Sequence, residues 1–164
     1  MWNVNLDLWD LAEEFIVNYF GEAAAPYVSL FIDNYENVFD RAKAINPELV
    51  VYTLQYDYVD PTKGYISLNF LNNQIDILKQ ADAAINACDE YTYGEKDAYL
   101  RRIARLKTTP MGTLVRNFSK FRPTATSDEK IAFYKEFFEI AEYGEVSHYH
   151  QTLTMAAKKE QLGL

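Results

Sequence analysis

The apolar side chains of residues 6–27 recur every three or four positions, which is the period of one helical face. This broad apolar face is formed by Leu8, Leu11, Ala12, Phe15, Ile16, Tyr19 and Phe20. Acidic side chains take the other face and concentrate near the N-terminal end, where the helix dipole favours negative charge. We therefore expect a first helix whose apolar face lies in the core.

Glycine and proline divide this segment into two helices. Gly21 follows the last periodic residue and is the expected left-handed residue at the end of the first helix. Pro26 suits the first turn of a second helix, because the N–H that proline lacks would have no partner there. The second helix is predicted over residues 24–45 and ends before Pro47.

Two further helices are predicted in the middle of the chain. The third covers residues 69–88, and a break over residues 89–94 separates it from a fourth that begins near Glu95. Pro110 should kink or split the fourth helix, because proline removes one intrahelical hydrogen bond.

The last third of the chain contains a clear helix start. Thr126 and Glu129 have the spacing of a capping box and predict a fifth helix, which Gly144 ends. Residues 146–162 retain enough apolar periodicity for a sixth helix.

Residues 47–67 interrupt the helical pattern and are rich in tyrosine. A lone strand here would have no partner, so we expect an ordered crossing loop that contains a turn at residues 60–64. Together these segments predict an all-α fold, an antiparallel bundle of five or six helices with one long Tyr-rich crossing loop. Residues 1–164 are expected to form a single helical domain.

Composition narrows the range of partners. The 164 residues carry a formal charge of −8, which disfavours nucleic acid and anionic membrane surfaces as partners. No apolar run is long enough to predict a transmembrane helix, and no N-terminal pattern predicts a signal peptide. The single cysteine, Cys88, falls on a helical apolar face and is interpreted as a small core residue.

Few side chains have the spacing that catalysis or metal binding requires. His148 and His150 would point apart in a helix and together in a strand, but no third ligand is evident nearby, so no metal or cofactor is predicted. The acid pair Glu13 and Glu14 is interpreted as a solvated helix face. We assign no catalytic residue and predict that the isolated domain is inactive.

Aromatic residues are the better candidates for binding. In the Tyr-rich loop, ring faces beside carboxylates suit carbohydrate recognition, although the same residues would also suit a loop packed on the bundle. Trp2 and Trp9 are candidates for contact with another domain, or else pack at the edge of the core. The candidate carbohydrate or domain contacts are Trp2, Trp9, Tyr52, Tyr56, Asp57 and Tyr58.

Basic residues cluster in the fourth helix. Arg101, Arg102 and Arg105 lie within five residues of one another. This cluster could hold an anion, but in a chain of this charge we expect it to pair with acidic residues of neighbouring helices.

The first forty residues resemble a recurring pattern in secreted glycoside-hydrolase-like proteins of polysaccharide-degrading bacteria. The resemblance rests on Trp2, Asn3 and Asp7, on the acidic helix, and on the sequence from Tyr19 to Pro26; Tyr99 to Ile103 is a weaker match. In those proteins, which are similar to α-glucuronidases and β-hexosaminidases, the pattern opens an all-helical domain behind a (β/α)8 barrel. Many such helical domains have no assigned function.

The resemblance implies a non-catalytic accessory domain, excised from the C-terminal part of a larger protein, that packs on the catalytic barrel and shapes its substrate cleft. The expected partners are then the upstream barrel and, as a further candidate, polysaccharide. The expected location is secreted, periplasmic or at the cell surface, and the parent protein is expected to be a glycoside hydrolase. Two alternatives remain, an independent carbohydrate-binding or protein-interaction module and a stand-alone hydrolase. An exposed apolar patch around Trp2 and Trp9 would favour the accessory domain, and an exposed aromatic strip would favour the independent module.

Overall fold

The computed structural model describes residues 7–45, 66–150 and 153–164. These ranges contain seven helices and two short strands, which confirms the predicted all-α class. The helices are α1 (Leu8–Phe20), α2 (Ala25–Ile45), α3 (Leu68–Ala87), α4 (Tyr93–Arg116), α5 (Phe118–Phe121), α6 (Ser127–Tyr143) and α7 (Met155–Gln161). Strands β1 (His148–His150) and β2 (Leu153–Thr154) pair antiparallel between α6 and α7.

Helices α2 and α3 run antiparallel, as two contacts along their length establish. The side-chain amide of Gln74 in α3 donates to the carbonyl of Phe31 in α2 at 3.1 Å. One turn earlier in α3, Phe70 packs edge-on against Tyr35, which lies one turn later in α2. The buried Gln74 also accepts from Asn34, so both ends of its amide are used to fix the register of the two helices.

Helix α4 is antiparallel to α6. At the beginning of α4, Asp97 accepts a hydrogen bond from the hydroxyl of Tyr143 near the end of α6. At the end of α4, the carbonyl of Val115 accepts from the buried Tyr134 hydroxyl in the first half of α6. The predicted antiparallel arrangement therefore holds for these central helices.

The core consists of two apolar clusters joined through α3 and α4. One cluster, built around Leu71, Leu114 and Phe137, fills the space between the first half of α3, the second half of α4 and α6. The other, built around Leu78 and Ile103, lies beneath α1 and the first half of α2. Helices α3 and α4 contribute opposite ends to the two clusters because they run in opposite directions.

Two capping boxes define the start of the long C-terminal helices. The box predicted at Thr126 and Glu129 is confirmed, since the Thr126 N–H donates to the Glu129 carboxylate at 2.7 Å. Thr92 and Glu95 form a second box that starts α4 at Tyr93. Helix α4 then continues through Pro110 to Arg116 as one element, so the predicted split does not occur.

The predicted sixth helix is wrong in its first half. Residues 148–150 and 153–154 form the β1–β2 hairpin, and only α7 is helical. Tyr149 explains this hairpin, because its ring packs edge-on against the buried Phe137 and its hydroxyl donates to the carbonyl of Gly112. Tertiary packing thus determines the secondary structure of a segment whose own apolar periodicity is weak.

Nearly all of the predicted crossing loop lies outside the described residues; residues 66 and 67 are described and lead into α3. In the part of the chain that is described, no helix combines the length and the apolar character needed to cross a membrane.

Candidate functional site

Helix α1 exposes much of the apolar face that was expected to lie in the core. Only Ile16 and Phe20 of this helix are buried, while Leu8, Leu11 and Phe15 are 74%, 40% and 58% exposed. The prediction that the whole face is buried is therefore wrong. At 100° per residue, the predicted face spans about half of the helix circumference, and the bundle covers one edge of it.

Trp9 extends this exposed surface. It lies seven residues before Ile16 and so occupies the same side of the helix, yet it is 68% exposed. Among the described residues, the first two turns of α1 therefore extend beyond the packed part of the bundle, and of their apolar side chains only Ala12 is partly covered. We call Leu8, Trp9, Leu11 and Phe15 the α1 apolar face.

The C-terminal end of α1 is anchored firmly. The Arg102 guanidinium donates to the carbonyl of Tyr19 and lies over the Tyr19 ring, 4.3 Å from its centre. A cation at this position also complements the negative end of the helix dipole. Phe15 stacks on the same Tyr19 ring with a centroid separation of 5.1 Å. The α1 apolar face is therefore displayed from a helix that is fixed at one end.

Acidic residues flank the α1 apolar face. Asp7, Asp10, Glu13 and Glu14 are all exposed, and helix α1 contains no basic residue. Asp7 caps the helix, with its carboxylate accepting from the Trp9 N–H at 2.8 Å. A partner that covers this surface should therefore combine apolar side chains with a basic rim.

The arginine cluster of α4 serves the structure, as the sequence interpretation expected. Arg101 and Arg105 both pair with the carboxylate of Glu145, at 2.8 and 3.0 Å, and Arg105 also donates to the carbonyl of Gly144. These contacts fasten the end of α6 to α4. They occupy two of the three guanidinium groups that were considered as an anion site.

Asp97 and Tyr143 extend this cluster and influence each other's titration. The hydrogen bond from Arg101, and then that from Tyr143, hold the pKa of Asp97 below its ordinary value. Burial first, and then the hydrogen bond to Asp97, raise the pKa of Tyr143 to about 12. Asp97 is therefore a stable anion and Tyr143 a neutral donor at physiological pH.

The other sequence-predicted candidates fall into two groups. Trp2, Tyr52, Tyr56, Asp57 and Tyr58 lie outside the described residues. His148 and His150 belong to strand β1 and not to a helix, and His148 Nδ1 lies 2.9 Å from the Ser147 hydroxyl. Within the described ranges no group of three His, Cys, Asp or Glu side chains is placed to hold a metal ion.

Cys88 caps the end of α3 and is partly exposed, so its assignment to the core is wrong.

Comparison with known proteins adds no relative. No protein-family model, no curated protein and no solved structure matches this chain. The class of the molecule is therefore defined by its own geometry, as an all-α bundle that displays an apolar helix face bordered by acidic residues.

Proposed function

We propose that this chain is an accessory helical domain that docks on another folded protein through the α1 apolar face. Following the resemblance of its N-terminal segment, the proposed partner is the catalytic barrel of a secreted glycoside-hydrolase-like protein. The single observation that supports docking is the exposure of Leu8, Trp9, Leu11 and Phe15 on one anchored helix. Large exposed apolar side chains grouped on one helix commonly mark a protein–protein contact.

The energetics of burial support a protein partner. A large apolar side chain that passes from water into an interface contributes roughly 1.5–3 kcal/mol. Because the four side chains are 40–74% exposed, their burial would release part of this energy and offset some of the entropic cost of association, which is roughly 4–15 kcal/mol. Tryptophan is also among the residues most often found at the energetic centre of interfaces, and Trp9 is 68% exposed here.

Charge disfavours self-association as the purpose of this surface. Two copies joined through α1 would bring two sets of four acidic side chains together, with no basic residue in either α1 helix to compensate. A partner with lysine or arginine around an apolar patch fits better, and this is the chemistry we assign to the barrel surface.

Calorimetric titration of this chain into a separately purified barrel tests the proposal. We expect saturable binding that weakens by more than about tenfold in the double variant Leu11→Ser/Phe15→Ser. The control is Tyr93→Ser/Ile131→Ser, which removes two side chains that are 89% and 41% exposed elsewhere. Equal affinity for both double variants, or no binding by the native chain, would refute docking through α1.

A further inference from the structure

A groove of about 600 Å³ lies between the start of α3 and the connection from α5 to α6. Leu68 and Asn72 of α3 form one side, residues 121–125 form the end, and Glu129, Phe133 and Glu136 of α6 form the other side. Its volume is typical of sites that hold small molecules. A second depression of about 320 Å³ shares Asn72, Arg122, Phe133 and Glu136 with it and extends along α3.

Arg122 is held in this groove by two aromatic rings and an amide, and its charge also acts on Glu129 from beyond ion-pairing distance. Its guanidinium carbon lies 5.7 Å from the centre of the Phe118 ring and 5.2 Å from that of Phe133. One nitrogen donates to the side-chain oxygen of Asn72 at 3.3 Å. No described carboxylate lies within ion-pairing distance, in contrast to Arg101 and Arg105. Most of its N–H donors therefore remain available to a ligand.

A guanidinium held in this way is suited to a carboxylate. Its planar set of donors matches the two oxygens of a carboxylate, and the two aromatic rings limit its rotation. Little side-chain entropy would then be lost when a ligand binds. The cationic part of the groove thus favours an organic acid.

Two carboxylates on α6 place negative charge in the groove, opposite in sign to the charge of Arg122. Glu129 is engaged by the Thr126 backbone and hydroxyl in the capping box. Glu136 accepts no hydrogen bond from any described residue and is exposed along the same wall. The adjoining depression adds one acid and one base, Asp76 and Lys79, so the lining as a whole stays net negative. The groove therefore disfavours a simple anion such as phosphate and complements a ligand that also carries a positive charge.

We propose that this groove binds a zwitterionic amino-acid derivative, in particular a short apolar peptide with free ends. The terminal carboxylate pairs with Arg122, the terminal ammonium pairs with Glu136, and an apolar side chain lies against Leu68 and Phe133. This site is separate from the α1 apolar face and does not depend on the proposed docking function.

Nuclear magnetic resonance titration with three matched dipeptides tests the charge requirement. Leucyl-leucine carries both charges, N-acetyl-leucyl-leucine carries only the carboxylate, and leucyl-leucinamide carries only the ammonium. We expect saturable shifts at groove residues with leucyl-leucine, at a Kd of about 1 mM or below, and binding weaker by about tenfold or more with the two blocked peptides. Equal binding of all three peptides, or no saturable shift with leucyl-leucine, would refute the proposal.

Two variants assign the charges to residues. Arg122→Gln should weaken leucyl-leucine and its acetylated form alike, whereas Glu136→Gln should weaken leucyl-leucine and leave the acetylated form bound at least as tightly as before, because a repelling charge is lost. The control is Arg41→Gln, which removes an exposed arginine whose hydrogen bond within the described residues goes to a carbonyl of its own helix. Because Glu136 is exposed and makes no hydrogen bond with a described residue, its variant should fold normally. If Glu136→Gln binds leucyl-leucine as the native chain does, the assignment of the ammonium site is wrong.

Discussion

Gly21 holds the junction of α1 and α2 in a conformation that glycine alone adopts easily. Its φ of 86° and ψ of 146° lie outside the left-handed helical region that the sequence interpretation expected, although its N–H still donates to Val17. A Cβ at this position would approach the Tyr91 hydroxyl and the Tyr99 ring to 3.0 Å. Backbone conformation and space therefore require glycine independently.

Substitution of Gly21 should therefore be costly. We expect Gly21→Ala to lower the free energy of unfolding by at least about 1 kcal/mol, and Gly21→Val by more, because a positive φ is strained for any residue with a Cβ. Gly94 is the matched control, since nothing lies within 4 Å of its missing Cβ. In urea melts Gly94→Ala should be neutral or stabilising by up to about 1 kcal/mol. Equal midpoints for the two alanine variants would contradict this assignment.

Glu145 is the left-handed residue that ends α6, with a φ of 58°. The Val146 N–H reaches back to the carbonyl of Ala141, and the Glu145 N–H to that of Glu142, which is the Schellman arrangement. Glycine occupies the preceding position instead, because a Cβ on Gly144 would lie 3.1 Å from the backbone nitrogen of Arg105 in α4. Glycine is therefore required at position 144, where α4 and α6 approach closely, whereas the strained backbone conformation falls on the ion-paired Glu145.

Two variants separate backbone strain from ion pairing at Glu145. Glu145→Gln keeps the strain and loses the charge, so it should melt below the native chain, with a difference that diminishes as salt is added. Glu145→Gly loses the charge as well but relieves roughly 1 kcal/mol of backbone strain, so it should melt above Glu145→Gln. Thermal melts at low and high salt give both comparisons. A glycine variant that melts below the glutamine variant would mean that the backbone is not strained.

At the scale of the element, α1 is held to the bundle by one edge of its apolar face. Ile16→Ala should cost about 2–4 kcal/mol, since Ile16 is 8% exposed and its truncation leaves a cavity. Phe15→Ser removes a ring that is 58% exposed, so it should cost no more than about 1 kcal/mol, mainly from the lost stacking on Tyr19. Urea denaturation of the two variants checks the order. If Phe15→Ser is the more destabilising, the orientation of α1 is wrong.

The same helix marks the limit of sequence reasoning. Periodicity correctly located α1, but it describes only how wide the apolar face is. Which edge of that face is covered depends on where α4 places Arg102 and Tyr99, and the spacing within α1 carries no information about this. Leu8, Leu11 and Phe15 of the candidate site thus appeared in the sequence as part of the core, whereas Trp9 was already a candidate contact with another domain.

Interactions between residues that are close in the sequence were easier to predict. The Thr126–Glu129 box was predicted because its partners are three positions apart, and Thr92–Glu95 shows the same signal, which the interpretation overlooked. The β1–β2 hairpin carries no such signal. Its strands are two and three residues long, and contacts from Tyr149 to Phe137 and Gly112 stabilise them across the bundle.

At the scale of the whole molecule, one largely buried ion pair joins the two central helices. Lys107 of α4, which is 7% exposed, donates to one carboxylate oxygen of Asp82 in α3. The other oxygen, Oδ1, is buried and has no hydrogen-bond partner in the described part of the chain. Burial accordingly raises the pKa of Asp82, although Lys107 opposes the shift. Because desolvation offsets the attraction between the two charges, we expect this pair to add little net stability.

Replacing one partner of this ion pair should cost more stability than replacing both. Lys107→Met leaves the Asp82 carboxylate largely buried and without its partner, so we expect a loss of about 2–3 kcal/mol at neutral pH. The double variant Asp82→Leu/Lys107→Met replaces both charges with apolar groups and should return to within about 1 kcal/mol of the native chain. Urea denaturation of the native chain, the two single variants and the double variant measures the coupling. Additive losses would show that the two residues do not interact.

Lowering the pH should reduce the loss of stability caused by Lys107→Met. The pKa of Asp82 is already raised in the native fold, and loss of Lys107 removes the groups that lower it. A carboxyl whose folded-state pKa exceeds its unfolded value binds protons preferentially when folded, so stability increases as pH falls through the folded-state pKa. The deficit relative to the native chain should thus be smaller at about pH 5 than at about pH 7.5, because other carboxyls affect both proteins equally. Urea melts at the two pH values measure it, and a deficit that stays constant or widens in acid would show that Asp82 does not carry the charge responsible.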